Sequence, residues 1–269
     1  MMPTDRPLPT KSSIQSQKNW STSTTTVMKK VAANGPRKAL IMSLSSFLIT
    51  AAVPWLILSV DEAKIQFSPA EMELMCDAGI ILTKNKILYG IRQLLENLEA
   101  EMQRKVYLAE PGPLAEALGP MPKISKGENY LGLPYLVLDY PRSFDSRSIC
   151  AVRTMFWWGN SFSSTLHLSG AWKELLMPEI LAAYPVLSKQ RYFIGVNEED
   201  PWQHHFEEDN YRAINGMNEG AFADRVEQAE HLKIAAGFPL RDVHFVGNDL
   251  LESWKRLLEI CGARFREEW

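Results

Sequence analysis

The densest run of chemistry-capable side chains is Trp202-Gln203-His204-His205-Phe206-Glu207-Glu208-Asp209-Asn210-Tyr211. Two adjacent imidazoles beside three carboxylates offer metal ligands (His204, His205 and Glu208) or an acid–base set (His204, His205, Glu207 and Asp209). Local form decides between these uses. On a helix, His204 and Glu208 share a face, as do His205 and Asp209. On a strand or loop the two imidazoles point apart, and the segment reads as a solvated loop or a helix start. No H-E-x-x-H occurs, so the spacing selects no metal.

A second set lies upstream. Glu128 sits in the shaped loop Lys126-Gly127-Glu128-Asn129-Tyr130, and Asp139 and Arg142 flank Tyr140-Pro141. With Arg153 these residues either line a pocket for a polar ligand or form a structural ion pair. In the second case Asp139 pairs with Arg142 or with Arg153. Along Arg153-Thr154-Met155-Phe156-Trp157-Trp158, strand alternation sends Arg153, Met155 and Trp157 to one face and Thr154, Phe156 and Trp158 to the other. Such a strand is either a two-sided core strand or an aromatic platform for a ligand. If Gly159-Asn160 turns a tight hairpin, His167 pairs across with Ala151 or its neighbours and lies close to Arg153. His231 and His244 have no company that suggests a role.

Several routes have no support. There is no G-x-G-x-x-G, no G-x-x-x-x-G-K-[ST] and no G-x-S-x-G, so phosphate-loop and serine-elbow chemistry are not indicated and no cofactor is legible. Cys76, Cys150 and Cys261 are far apart and odd in number, against a disulfide framework or a structural zinc site.

The elements that must position these residues are legible in outline. Ser68-Pro69-Ala70-Glu71 is a capping box that opens a short helix to about Ala78. Thr83 is placed to cap a second helix, Lys84 to about Lys105, with Ile87, Leu88, Ile91, Leu94, Leu95 and Leu98 as its apolar stripe. Pro111 to Leu118 adds a helical turn or two, and Met121 to Leu133 reads as loop. Strands are predicted at 135–140, ended by Pro141, and at 149–158, 161–169 and 191–196. Helices are predicted at about 171–183, 219–236 and 249–261, the last capped by Asn248 or Asp249. The expected fold is α+β, with a mostly antiparallel central sheet flanked by N-terminal and C-terminal helices. It forms a single globular domain over 64–269.

Ahead of that domain stand two other regions. Residues 1–38 are Ser-, Thr- and Lys-rich and read as a disordered basic tail. Ala39–Val60 is 22 residues without a charge, about 33 Å long as a helix, and so of bilayer length. Basic residues precede it and Asp61 and Glu62 follow, so the expected partner is the membrane, as a single-pass span or signal-anchor with a cytoplasmic N-terminus. A cleaved secretory signal is an alternative. A mis-called start is another, since Met28-Lys29-Lys30 resembles a second beginning, and the protein would then be soluble and cytoplasmic. The tail carries +6 of a chain whose net charge is −3, leaving −9 for the remainder. Nucleic acid is not an expected partner of so acidic a domain. A protein or small-molecule partner stays open.

The strings Lys126 to Arg142, Arg153 to Asn160 and His204 to Tyr211 resemble those of a family of uncharacterised bacterial proteins. The resemblance covers about Ile65 to the C-terminus and leaves the tail and apolar segment outside it. It implies no activity, and so brings no catalytic residue, cofactor or ligand. The expected function is a ligand-binding or interaction module on a membrane anchor, with a metal-dependent or acid–base enzyme as the rival.

Overall fold

A computed structural model describes residues 66–266. The expected tail and the apolar segment Ala39–Val60 lie outside the described residues. Among the described residues no helix is long and apolar enough to cross a membrane.

The chain opens with α1 (Pro69–Cys76), which carries the expected capping box: Ser68 accepts from the Glu71 backbone and the Glu71 carboxylate accepts from Ser68. It continues into α2 (Ala78–Tyr107) and the single turn α3 (Ala115–Leu118). The expected cap at Thr83 is corrected: Asp77 caps α2 by accepting from Gly79 N, and Thr83 lies inside the helix. Four strands follow, β1 (Lys123–Tyr130), β2 (Leu133–Phe144), β3 (Ile149–Trp157) and β4 (Ser161–Ser169). After α4 (Gly170–Ala182) and α5 (Tyr184–Leu187) come β5 (Phe193–Gly195), β6 (Tyr211–Ala213), α6 (Glu219–Gln228), β7 (His231–Pro239) and α7 (Val246–Glu259).

The seven strands form one sheet in the order β1-β2-β3-β4-β7-β5-β6, and every pairing is antiparallel. The α+β class with flanking helices stands, and four local expectations are corrected. β1 replaces a predicted loop. It is an edge strand whose lysines and glycine suit an exposed ladder and imitate loop composition. β2 does not end at Pro141 but runs to Phe144, with its register shifting between Asp139 and Arg142 where the proline has no N–H to give. β7 replaces the second half of a predicted helix, because its short apolar run is captured between β4 and β5. α7 starts at Val246 after Phe245, with no side-chain cap from Asn248 or Asp249.

The β3–β4 turn has three residues, closed by the Trp157–Ser161 pair with Gly159 at φ +73°. The predicted two-residue turn is therefore one residue short. The register still sets His167 opposite Ala151, one pair away from the Arg153–Thr165 row when side chains of one face are followed.

Alternation divides the sheet into two unlike faces. Leu136, Leu138, Val152, Phe156, Phe162, Leu166 and Ile234 face the helices and join Leu95, Met102, Trp254 and Leu257 in one apolar core. Trp254 also donates through Nε1 to Tyr140 O at 2.6 Å and stacks on the Tyr140 ring. The opposite face carries Asp139, Arg153, Thr165, His167 and Lys233 on adjacent strands. Among the described residues no helix packs on this face. A 15-residue strap, residues 196–210 between β5 and β6, lies over it.

Candidate functional site

Arg153 is the centre of the strap face. Its Nε and Nη2 donate to Asp139 Oδ1 and Oδ2 at 2.8 and 3.0 Å, the bidentate geometry that fits a carboxylate best. Its Nη1 meets His204 Nε2 at 3.2 Å. A guanidinium can only donate, so His204 Nε2 accepts and the ring proton sits on Nδ1. Burial, with the Arg153 charge second, holds the His204 pKa well below the ordinary histidine range. Nδ1 is out of solvent contact and has no hydrogen-bond partner.

The strap is pinned at this point by Tyr130, the last residue of β1. Its hydroxyl accepts from His204 N at 2.6 Å and His205 N at 3.2 Å, and donates to Gln203 Oε1 at 3.0 Å. Trp157 Nε1 donates to Tyr130 O, and the two rings meet edge to face. The sheet edge thereby holds both histidines without touching their rings' polar atoms.

Lys233 forms the second anchor. It is only 1% exposed, and Nζ donates to Gln203 O and Asn210 Oδ1, each at 3.0 Å, while lying 4.8 Å from the Tyr211 ring centroid. Burial without a carboxylate in contact pushes its pKa down to about 8. Gly195 makes room for its stem, since a Cβ there would sit 2.9 Å from Lys233 Cε. Gly237 does the same for Phe206, whose ring carbons would lie 3.3 Å from an added Cβ.

His167 and His231 complete the face. His167 Nε2 and His231 Nδ1 are 2.9 Å apart, with Trp202 of the strap against the His167 ring. Burial, then the nearby His231, Lys233 and Arg153, push the His167 pKa down to about 3. One imidazole therefore donates to the other in the neutral state.

Beside this cluster the strap and the β3–β4 hairpin leave a cleft of about 440 Å³. Trp157, Phe206 and Leu131 form its apolar walls, and Asn160, Ser161, His205 and Glu207 its polar rim. His205 Nδ1 makes no hydrogen bond and lies 3.8 Å from Asp209 Oδ1. A larger cleft of about 520 Å³ is lined by Glu110, Glu179, Glu259 and Arg264 with small residues, and has no aromatic wall. Glu259 there is already paired with Arg256 and Lys255.

The predicted site residues thus separate into groups. Asp139, Arg153 and His167 of the sheet meet His204 of the strap, and His205 and Glu207 meet at the cleft. Glu128 does not join them; it is exposed on β1 and paired with Lys84 and Lys126. Arg142 bonds neither to Asp139 nor to the cluster but to Met121 O at 2.5 Å. Residues 202–208 take no helical form, so the i, i+4 facing of His204 with Glu208 is not made, and Glu208 and Asp209 are exposed. Among the described residues no group of three or more His, Cys, Asp or Glu side chains gathers as a metal would require. Tyr130, Lys233 and Asn210 belong to the site without having been singled out in the sequence. A lone lysine inside the apolar run Leu232-Lys233-Ile234-Ala235-Ala236 was the available signal. Compared with protein-family models, curated proteins and solved structures, the chain finds no match, and its function is read from this geometry.

Proposed function

We propose that the domain is a small-molecule-binding module whose ligand enters the cleft between the strap and the β3–β4 hairpin. One observation carries this reading: an aromatic-walled cleft has a polar rim of Asn160, Ser161, His205 and Glu207 along one side. The ligand class that fits is a flat, apolar body against Trp157 and Phe206, with a polar edge for His205 and a cationic or N–H group for Glu207. The uncharged segment Ala39–Val60, basic before and acidic after, supports a single-pass anchor with the domain on the far side from the tail.

The test is saturation-transfer NMR on the full-length chain in mild detergent, with benzamide, benzamidine and indole as probes. Binding of at least one is expected, at dissociation constants on the order of 1 mM, as befits fragments of this size. Trp157→Ala abolishes it, and Glu207→Gln weakens benzamidine more than benzamide. No transfer from any probe, or transfer indifferent to Trp157→Ala, would remove this cleft as the site. A second reading, acid–base catalysis, is favoured by His205 and Glu207 lining the same cleft. It requires a substrate turned over with loss on His205→Gln, a separate outcome from binding.

A further inference from the structure

The N-terminal arm of the domain is apolar where it should be polar. No residue of α1 is buried, and the first buried residue of α2 is Leu88. The front of α2 therefore runs about 15 Å before it meets its own core. Nine large apolar side chains between Phe67 and Tyr89 are exposed, among them Met75 at 61%, Ile81 at 55% and Leu82 at 67%. Isolated exposed apolar residues are ordinary, but a contiguous set of this size marks a surface that is covered in use.

The order of these residues narrows what covers it. Ile80, Ile81 and Leu82 are consecutive. At about 100° per residue they spread over some 200° of the helix circumference. A flat lipid surface meets one side of a helix lying on it, and its apolar stripe is then one-sided. A covering that packs against two sides suits consecutive apolar positions better.

Charge narrows it further. From Phe67 to Asp77 the arm carries Glu71, Glu73 and Asp77 and no base, while from Ala78 to Arg92 it carries Lys84, Lys86 and Arg92 and no acid. The two halves are opposite in sign, and with Lys84 and Arg92 held by Glu128 and Glu96 of the same chain, Glu73 and Lys86 are the charges that face a partner. Such a surface is complementary to itself under a two-fold axis near the α1–α2 junction, since antiparallel arms lay each acidic half on the other's basic half. We propose that two copies of the chain associate through this arm, burying Met75, Ile80, Ile81 and Leu82 between them. Cys76, exposed and next to the junction, then lies close to its symmetry mate, while Cys150 and Cys261 are buried and silent. The proposal is independent of what occupies the cleft.

The experiment is cysteine crosslinking of the full-length chain in mild detergent with a short bismaleimide, alongside sedimentation equilibrium. The wild type is expected to crosslink as a dimer through Cys76. Cys76→Ser loses the crosslink and keeps the dimer by sedimentation. Ile81→Asp weakens dimerisation roughly tenfold or more with an unchanged thermal melt, because the side chain is exposed in the single copy. Lys86→Glu weakens it less, and Glu73→Lys added to Lys86→Glu restores it. A monomer at every accessible concentration, or a dimer indifferent to Ile81→Asp, would overturn the proposal. So would a monomer whose Cys76-attached dye shifts to the blue on phosphatidylcholine vesicles, which would assign the arm to lipid.

Discussion

The two faces of the sheet are built from the same strands and obey different rules. On the helical face, Leu138, Phe162, Leu166 and Leu257 are covered by other apolar side chains, and an apolar side chain of the right volume serves. On the strap face, Asp139, Lys233 and His167 are buried and Arg153 and His204 half-buried, all of them polar, so each needs a particular partner. The helical face supplies the apolar burial. The strap face adds a layer of polar groups and leaves His204 Nδ1 and His205 Nδ1 buried without a hydrogen bond, His205 at the wall of the cleft. The difference separates an apolar core from a polar layer.

The comparison can be broken at several points. The largest effect is expected on the helical face: Trp254→Ala should cost about 3–5 kcal/mol in urea unfolding, from lost apolar contact and the hydrogen bond to Tyr140 O. On the strap face, Arg153→Met should cost less, about 1–3 kcal/mol, because it strands the Asp139 carboxylate at a pair whose guanidinium water still reaches. The double variant Asp139→Leu with Arg153→Met should recover most of that loss. If the double variant is as unstable as the single, the pair is needed for packing and the distinction between the faces fails.

Two pH profiles test the buried bases. Lys233 gives up its proton near pH 8 in the fold and near 10.5 in the unfolded chain. The unfolded state binds more protons in that window, so stability rises from pH 8 to 10.5, by at most about 3 kcal/mol, and is flat below it. Lys233→Met should remove this rise, as read from unfolding at pH 8 and 10. His167 is neutral in the fold down to about pH 3 but protonates near 6.5 when unfolded. Stability is then lost as pH falls below 6.5, by about 2 kcal/mol at pH 5 for this group alone, and His167→Gln should reduce that slope. The smallest effect belongs to Glu128, exposed at the sheet edge: Glu128→Gln should leave the unfolding midpoint unmoved within error.

How much of this was legible in the sequence follows from period and locality. The strand Ser161–Ser169 and the facing of Arg153 and Trp157 read cleanly, because alternation is local and the hairpin that contains them is short. The capping box at Ser68 read cleanly for the same reason. β7 did not, since Ala235 and Ala236 favour a helix and only pairing with β4 and β5 makes them strand. With β7 hidden, Lys233 could not be placed beneath the strap. Arg153 with His204 spans 51 positions in sequence, and no periodicity reports a contact of that range. The sequence marked the 202–211 cluster as polar, but the tyrosine that pins it comes from an edge strand that resembled a loop.

Amide hydrogen exchange, residue by residue, tests the division of the two faces most directly. A strap held by Tyr130 and Lys233 beside the proposed ligand cleft should open on its own. The amides of His204, His205 and Asn210 should then exchange through openings costing less than global unfolding, while those of Val152, Leu166 and Leu257 exchange only with it. If the strap amides exchange only on global unfolding, with the same denaturant dependence as the helical face, the strap is a second core and the account is contradicted.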